Sequence, residues 1–216
     1  IKTAYTKLGE VKEKAAFTYK EVSINVEEAL SVWEDKLEKV FPTKVSKETT
    51  SIETKLFNAE NVHVCKNKVA KPTVFIPVFP GTNCEYDTQR ALLKAGADAE
   101  IYVIRNLTAS DVANSVKELA EKIRQSNIVV IPGGFSGGDE PDGSAKFITA
   151  FFRNPEVKRR VRDLLDNRDG LMLGICNGFQ ALIKLGLVPY GKIIDTDENC
   201  PTLTFNKIGR HQSKIV

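Results

Sequence analysis

From position 71 onward, short apolar runs alternate with longer amphipathic segments, and this alternation most constrains the fold. The apolar runs are typical of buried strands and lie at 73–78, 99–104, 128–131 and 171–175. Segments with helical spacing of apolar residues separate and follow them, at 85–94, 110–125, 144–152, 156–167 and 177–185. The pattern predicts an α/β fold, an open and mostly parallel sheet with helices on both faces.

Glycine and proline are concentrated in the same region of the chain. Residues 71–216 hold 13 of the 14 glycines and 8 of the 9 prolines, mostly just after the predicted strands. Ligands of such sheets bind at the carboxyl ends of the strands. The glycine-rich loops therefore indicate the working edge of the domain.

The first 70 residues contain a single glycine and predict a different kind of structure. A short strand is predicted at 15–19, and Asn25 with Glu28 predicts a helix start that leads into one apolar stripe. Such a stripe needs a partner surface. We expect 1–45 to be the C-terminal end of a preceding domain, 46–71 a linker and 72–216 the α/β domain. The only methionine is Met172, so we expect a piece of a longer protein.

Composition excludes several functional classes. The net charge of +3 is too small to favour nucleic-acid binding, and no apolar run is long enough for a membrane span or a signal peptide. The four cysteines are widely spaced and the chain has two histidines, so we expect neither a disulfide framework nor a metal site. A reducing, cytoplasmic location is the expectation that follows.

The most informative motif joins the last predicted strand to a helix. It runs Gly174-Ile175-Cys176-Asn177-Gly178. Small residues two positions before and after a nucleophile permit a tight strand-to-helix turn that exposes its side chain. The helix N-terminus favours a thiolate, and the N–H of Asn177 would face a developing oxyanion. The alternative is a buried cysteine in a glycine-rich loop.

A second glycine-rich loop, 132–139, directly follows the third predicted strand. Glycines allow a backbone N–H to approach a reacting carbonyl closely, which favours a second oxyanion donor. A phosphate-binding loop is the alternative, although the sequence fits neither the P-loop nor the G-x-G-x-x-G pattern.

A thiolate nucleophile usually needs a histidine base, and neither histidine is well placed in the sequence. His63 precedes the sheet in the predicted linker, and His211 lies in a late segment far beyond Cys176. Cys84 is a rival nucleophile at a helix start, but it lacks the small flanking residues that would expose its sulfur.

Three segments together resemble the class I glutamine amidotransferase family, and specifically the glutaminase part of the long, single-chain phosphoribosylformylglycinamidine synthases. They are Pro80-Gly-Thr-Asn-Cys-Glu-Tyr-Asp87, Pro132-Gly-Gly-Phe-Ser-Gly-Gly-Asp139 and Gly174-Ile-Cys-Asn-Gly-Phe-Gln180. The resemblance covers residues 71–216 and implies a flavodoxin-like sheet. It also implies that 1–45 ends the preceding synthetase domain.

The resemblance implies a role for each matching residue. Cys176 would attack the carboxamide carbon of glutamine, release ammonia and form a glutamyl thioester. The N–H groups of Gly134 and Asn177 would bind the oxyanion. Glutamine would contact the residues Phe135, Gln180 and Asn206. ATP and magnesium would serve only the synthetase domain that uses the ammonia, so the resemblance implies no cofactor here.

The chain departs from the family pattern beyond Cys176. The family continues with a His-x-Glu pair that is not found in residues 177–216. We therefore expect a C-terminally truncated domain with little or no glutaminase turnover by itself. The glutaminase of a different synthetase, another cysteine hydrolase of similar fold, and a non-catalytic interaction module remain the alternatives.

Overall fold

The computed structural model describes residues 3–40, 60–61, 64–137 and 145–203. The chain divides into two compact units, Ile1–Ser51 and Ile52–Val216. Each unit has its own secondary structure and is considered separately.

The first unit contains an antiparallel hairpin followed by a helix. Its strands are β1, Ala16–Tyr19, and β2, Val22–Asn25, and its helix is α1, Val26–Glu38. The Asn25 side chain accepts hydrogen bonds from the N–H groups of Glu27 and Glu28 at 2.8 and 3.3 Å, as an N-cap does. The strand and the helix start were predicted from the sequence, whereas β2 was missed. Its turn at Lys20 adopts a positive φ of 54° without the usual glycine or asparagine.

Among its described residues, the second unit contains a four-stranded parallel sheet. Its strands are β3, Thr73–Val78; β4, Asp98–Val103; β5, Ile128–Ile131; and β6, Leu171–Gly174. The strand order is β4-β3-β5-β6, and all three pairings are parallel. The predicted α/β class, with its open parallel sheet, is confirmed.

The helices of this unit connect and flank the strands. They are α2, Glu85–Lys94; α3, Ala109–Gln125; α4, Lys146–Phe152; α5, Pro155–Arg162; α6, Asn177–Leu185; and α7, Leu187–Tyr190. The helix predicted over 156–167 is confirmed, and its last part, Asp163–Asn167, is a π-helical turn that continues α5. The short α7 was missed, since four residues are too few to show a helical period.

Alternate residues of the central strands pack on opposite faces of the sheet. Phe75 belongs to the larger core, with residues of α3, α4, α5 and α6. Val74 and Ile76 face the other way and belong to a smaller core, against which Leu92 of α2 packs. Each fully buried side chain of this kind contributes roughly 1.5–3 kcal/mol relative to an exposed one. Helices therefore cover both faces, as predicted.

The strand order places a topological switch point at the carboxyl edge of the sheet. The chain leaves β3 toward β4 and returns to β5 on its opposite side, so the connections after β3 and β5 diverge. Ligands bind at such a switch point in open α/β sheets. Phe79 anchors the loop after β3, because its buried ring packs edge-on against Phe147 and Phe151 with ring centroids 6.2 and 5.7 Å away.

The opposite, amino edge of the sheet receives the end of the predicted linker. The N–H of Lys66 donates to a carboxylate oxygen of Asp169 at 2.8 Å, and the Asn67 side chain donates to the carbonyl of Arg168 at 3.2 Å. None of the helices in the described part of the chain combines the length and apolarity that crossing a membrane requires.

Candidate active site

Cys176 lies at the turn between β6 and α6. Its backbone has φ 51° and ψ −106°, a conformation that residues with a side chain rarely adopt, and its side chain is exposed. Backbone strain of this kind costs on the order of 1–3 kcal/mol and is found at functional sites. The turn is anchored on both sides, since Ile175 donates to the carbonyl of Ile131 at 3.0 Å and Gly178 donates to that of Ile175 at 2.9 Å.

Two glycines allow this turn to close. A Cβ atom at Gly174 would lie 2.6 Å from the carbonyl carbon and oxygen of Gly178. A Cβ atom at Gly178 would lie 2.0 Å from the carbonyl oxygen of Ile131. No side chain fits at either position, which is the physical reason for small residues on both sides of Cys176.

The glycine-rich loop after β5 passes directly beside the cysteine. A Cβ atom at Gly133 would lie 3.3 Å from Cβ of Cys176 and 4.0 Å from its Sγ. Gly133 is buried and Cys176 is exposed. The backbone of this loop therefore forms one wall of the site around the thiol.

A backbone bridge to the loop after β3 fixes the same loop from its other side. Asn83 donates to the carbonyl of Gly133, and Phe135 donates to that of Gly81, both at 2.8 Å. These bonds flank the antiparallel pair Thr82 and Gly134. In such a pair the N–H groups of the two opposed residues point away from each other. The N–H of Gly134 is thus directed away from Thr82.

The backbone bridge requires a glycine in each of the two loops that it joins. Gly134 has φ +123°, and a Cβ there would lie 2.4 Å from the carbonyl oxygen of Gly81. Gly81 has φ +88°, and a Cβ there would lie 2.3 Å from the carbonyl oxygen of Phe135. Gly81 and Gly134 therefore both allow the close contact between the loops after β3 and β5.

A buried polar chain links the loop after β5 to helix α6. Ser136 donates to Oδ1 of Asn177 through its hydroxyl at 2.6 Å and through its N–H at 3.2 Å. The Asn177 amide donates to Oε1 of Gln180 at 3.0 Å. Ser136 and Asn177 are each 1% exposed. Sequence reasoning did not single out Ser136, although a serine among glycines opposite a nucleophile turn is a usable signal.

The structure brings five of the predicted site residues together at one edge of the sheet. They are Gly134, Phe135, Cys176, Asn177 and Gln180. The ring of Phe135 is exposed, and the N–H of Gln180 donates to the carbonyl of Cys176 at 3.0 Å. Asn206 and both histidines, His63 and His211, lie outside the described residues.

The other cysteines differ in their surroundings. Cys84 is the N-cap residue of α2 with φ 65°, and its N–H donates to the side chain of Asn83 at 3.0 Å. It is exposed, so the expectation that the lack of small flanking residues would cover its sulfur was wrong. Cys65 and Cys200 are free thiols, and Cys200 lies 3.5 Å from a carboxylate oxygen of Asp197. Across the described ranges, no group of three or more His, Cys, Asp or Glu side chains gathers to hold a metal ion.

This arrangement provides an exposed thiol with backbone amides beside it. A thiolate at Cys176 can attack a carbonyl carbon, and amide groups of the neighbouring loop and of α6 can stabilise the negative oxygen that results. The site is therefore suited to acyl transfer through a thioester.

Comparison with known proteins identifies the family to which the α/β region of the chain is similar. A family model described as a CobB/CobQ-like glutamine amidotransferase domain matches residues 71–216. Curated relatives are named phosphoribosylformylglycinamidine synthase subunit PurQ. The protein from Dehalococcoides mccartyi is 33% identical over 149 residues, 68% of this chain and 51% of its own length. That from Treponema denticola is 36% identical over 156 residues, 67% of this chain and 52% of its own length.

The chain spans about half the length of these curated relatives. A solved structure, PurLQS from Thermotoga maritima, is 27% identical with a TM-score of 0.37, and the alignment covers 54% of this chain and 45% of that one.

Proposed function

Since this chain belongs to the CobB/CobQ-like glutamine amidotransferase family, we propose that residues 71–216 carry a glutaminase site with Cys176 as its nucleophile. One observation supports this most strongly. The exposed thiol lies at a strained turn, and Gly133 is placed so that a Cβ there would lie 3.3 Å from Cβ of Cys176. A merely structural cysteine requires neither the strain nor the close backbone.

The reaction begins with attack of the Cys176 thiolate on the carboxamide carbon of glutamine. A C–S bond forms, and the carbonyl oxygen becomes an oxyanion that accepts hydrogen bonds from the N–H groups of Gly134 and Asn177. The C–N bond then breaks, and the nitrogen leaves as ammonia after taking up a proton. Water hydrolyses the glutamyl thioester to glutamate and restores the thiol.

The remaining site residues orient the substrate. We name residues 132–137, the loop after β5, the oxyanion loop. Phe135 offers an exposed ring within this loop, and Gln180 lies on the first turn of α6, where the Asn177 side chain donates to it. Asn206 completes the proposed glutamine contacts.

The proton transfers require a base, and we place it outside the described residues. We propose that a chain of these 216 residues alone turns glutamine over slowly, because the His-x-Glu pair of the family pattern is not found in residues 177–216.

The names of the relatives give this glutaminase a biochemical setting. We propose that it supplies ammonia to a synthetase that uses ATP and magnesium to convert formylglycinamide ribonucleotide to its amidine in purine biosynthesis. In this proposal the synthetase domain belongs to the same polypeptide, residues 1–45 are its end and residues 46–71 are the linker. The first unit, with its exposed Trp33, lies outside the family match.

The proposal is tested by labelling the full chain with a diazoketone analogue of glutamine. Peptide mass spectrometry then assigns the adducts to individual cysteines. Modification of Cys176 that glutamine blocks, with Cys84 modified slowly and without protection, is the expected result. Equal labelling of all four cysteines would instead favour a non-catalytic module of the same fold.

A further inference from the structure

Ser136 and Asn177 connect the two segments that carry the oxyanion donors. Ser136 lies two residues after Gly134 in the loop that follows β5, and Asn177 begins α6. The loop and the helix belong to different strand connections, and Ser136 and Asn177 are 41 positions apart in sequence. The direct side-chain link between them therefore spans the site rather than one loop.

The bond has the features of a fixed contact. Both partners are 1% exposed, and one acceptor atom, Oδ1 of Asn177, receives the hydroxyl at 2.6 Å and the N–H at 3.2 Å. Breaking it leaves polar groups buried without this partner, which is unfavourable because buried polar groups need hydrogen-bond partners. The loop is thus held at one distance from the helix start.

The chemistry of the side chains is specific. Only a residue with both an acceptor and a donor can take two hydrogen bonds from Ser136 and give one to Gln180, and asparagine has both. An aspartate would keep the acceptor and lose the donor, and an alanine would lose both. One side chain therefore couples the oxyanion loop to a proposed glutamine contact.

We propose that Ser136 is a positioning residue that, through Asn177, sets the separation of the Gly134 and Asn177 N–H groups. This proposal rests on the proposed function of the site. Oxyanion donors act only when they are held within about 0.5 Å of the productive geometry. Loss of the Ser136 hydroxyl loosens the loop, so it slows attack on carbonyl carbons and leaves the reactivity of the thiol itself unchanged.

Two reagents separate these properties. p-Nitrophenyl acetate acylates a thiolate through a tetrahedral oxyanion and releases p-nitrophenolate, whereas iodoacetamide alkylates it by direct displacement of iodide, with no oxyanion. The full chain is treated with each reagent, and the rates at Cys176 are followed by peptide mass spectrometry. Ser136→Ala is expected to lower the acylation rate at least about tenfold, since one oxyanion donor is worth about 10²–10³. Its alkylation rate stays within about twofold of wild type.

A matched control is available in the same unit. Ser115 is also 1% exposed, and its hydroxyl accepts from the N–H of Arg105 at 2.9 Å and donates to the carbonyl of Arg105 at 3.1 Å. This contact lies in the connection after β4, whereas Gly134 and Cys176 lie in the connections after β5 and β6. Ser115→Ala should change neither rate by more than about twofold, and Asn177→Ala should lower acylation at least as much as Ser136→Ala.

Each outcome has a definite meaning. Unchanged acylation in Ser136→Ala, or acylation and alkylation that fall together, overturns the positioning role. If wild-type Cys176 is acylated no faster than Cys84, the oxyanion site itself is absent and the proposed function fails with it. Fast acylation in wild type and in Ser136→Ala overturns the positioning role alone.

Discussion

Cys176 and Cys84 lie at two similar turns, but only Cys176 is proposed to be a nucleophile. Both cysteines are exposed and have positive φ, and both occupy the N-cap position of a helix that follows a parallel strand. A helix N-terminus and exposure are therefore common to the two turns. They do not by themselves identify a nucleophile.

The turns differ in strain and in their flanking residues. Cys84 has ψ 18°, within the left-handed helical region, whereas Cys176 has ψ −106°, far outside it. Glycines stand two positions before and after Cys176, whereas Thr82 and Tyr86 stand at those positions around Cys84. The tight, strained turn beside the loop after β5 is thus the feature that singles out Cys176.

The largest effect on activity is expected when Cys176 and Cys84 are each exchanged for serine. In the whole protein, Cys176→Ser should lower glutamine hydrolysis by at least about 10⁴-fold, because loss of a nucleophile removes covalent catalysis. Cys84→Ser should retain activity within about twofold. Ammonia release measured for both variants decides the comparison, and a loss in Cys84→Ser that matches the loss in Cys176→Ser would contradict it.

Gly178→Ala tests whether the nucleophile turn tolerates a side chain. The added Cβ would lie 2.0 Å from the Ile131 carbonyl oxygen, so we expect a loss of about 3 kcal/mol or more in the free energy of unfolding. Gly191→Ala is the control, since its Cβ meets nothing within 4 Å and only its φ of +67° is unfavourable, which costs about 1–2 kcal/mol. Urea denaturation measures both, and equal losses would show that the close contact is unimportant.

Gly134→Ala tests the bridge between the loops after β3 and β5. Its Cβ would lie 2.4 Å from the carbonyl oxygen of Gly81, so the loop must shift and its N–H must leave the oxyanion site. Acylation of Cys176 by p-nitrophenyl acetate should fall by about 10²-fold. Gly96→Ala has a similarly positive φ, +93°, with open space around the Cβ, and should leave the acylation rate unchanged. A similar fall in both variants would mean that general destabilisation is the cause.

The smallest effect is expected at the turn of Cys84. Asn83→Ala removes the side-chain acceptor of the Cys84 N–H and keeps the backbone bond from Asn83 to Gly133. Because the side chain is exposed, stability should fall by at most about 1 kcal/mol. Labelling of Cys176 should not change. A marked loss of Cys176 reactivity would show that the Cys84 turn supports the site through its side chains.

The sequence predicted the parts of this comparison that depend on local pattern. The strand Thr73–Val78, the helix Asn177–Leu185 and the turn between Gly174 and Gly178 follow from apolar spacing and small residues close together in the chain. The bridge between Gly81 and Phe135 and the bond between Ser136 and Asn177 could not be predicted in this way. They depend on which loops the strand order places side by side, and hydrophobic periodicity carries no information about that order.

The proposed mechanism requires a covalent intermediate between Cys176 and glutamine. The most direct measurement is acid quenching of the whole protein during turnover, followed by mass spectrometry of its cysteine peptides. We expect a γ-glutamyl group on the Cys176 peptide that disappears when glutamine is exhausted and is absent from Cys176→Ser. A glutamyl group on Cys84, or undiminished ammonia release by Cys176→Ser, would contradict it.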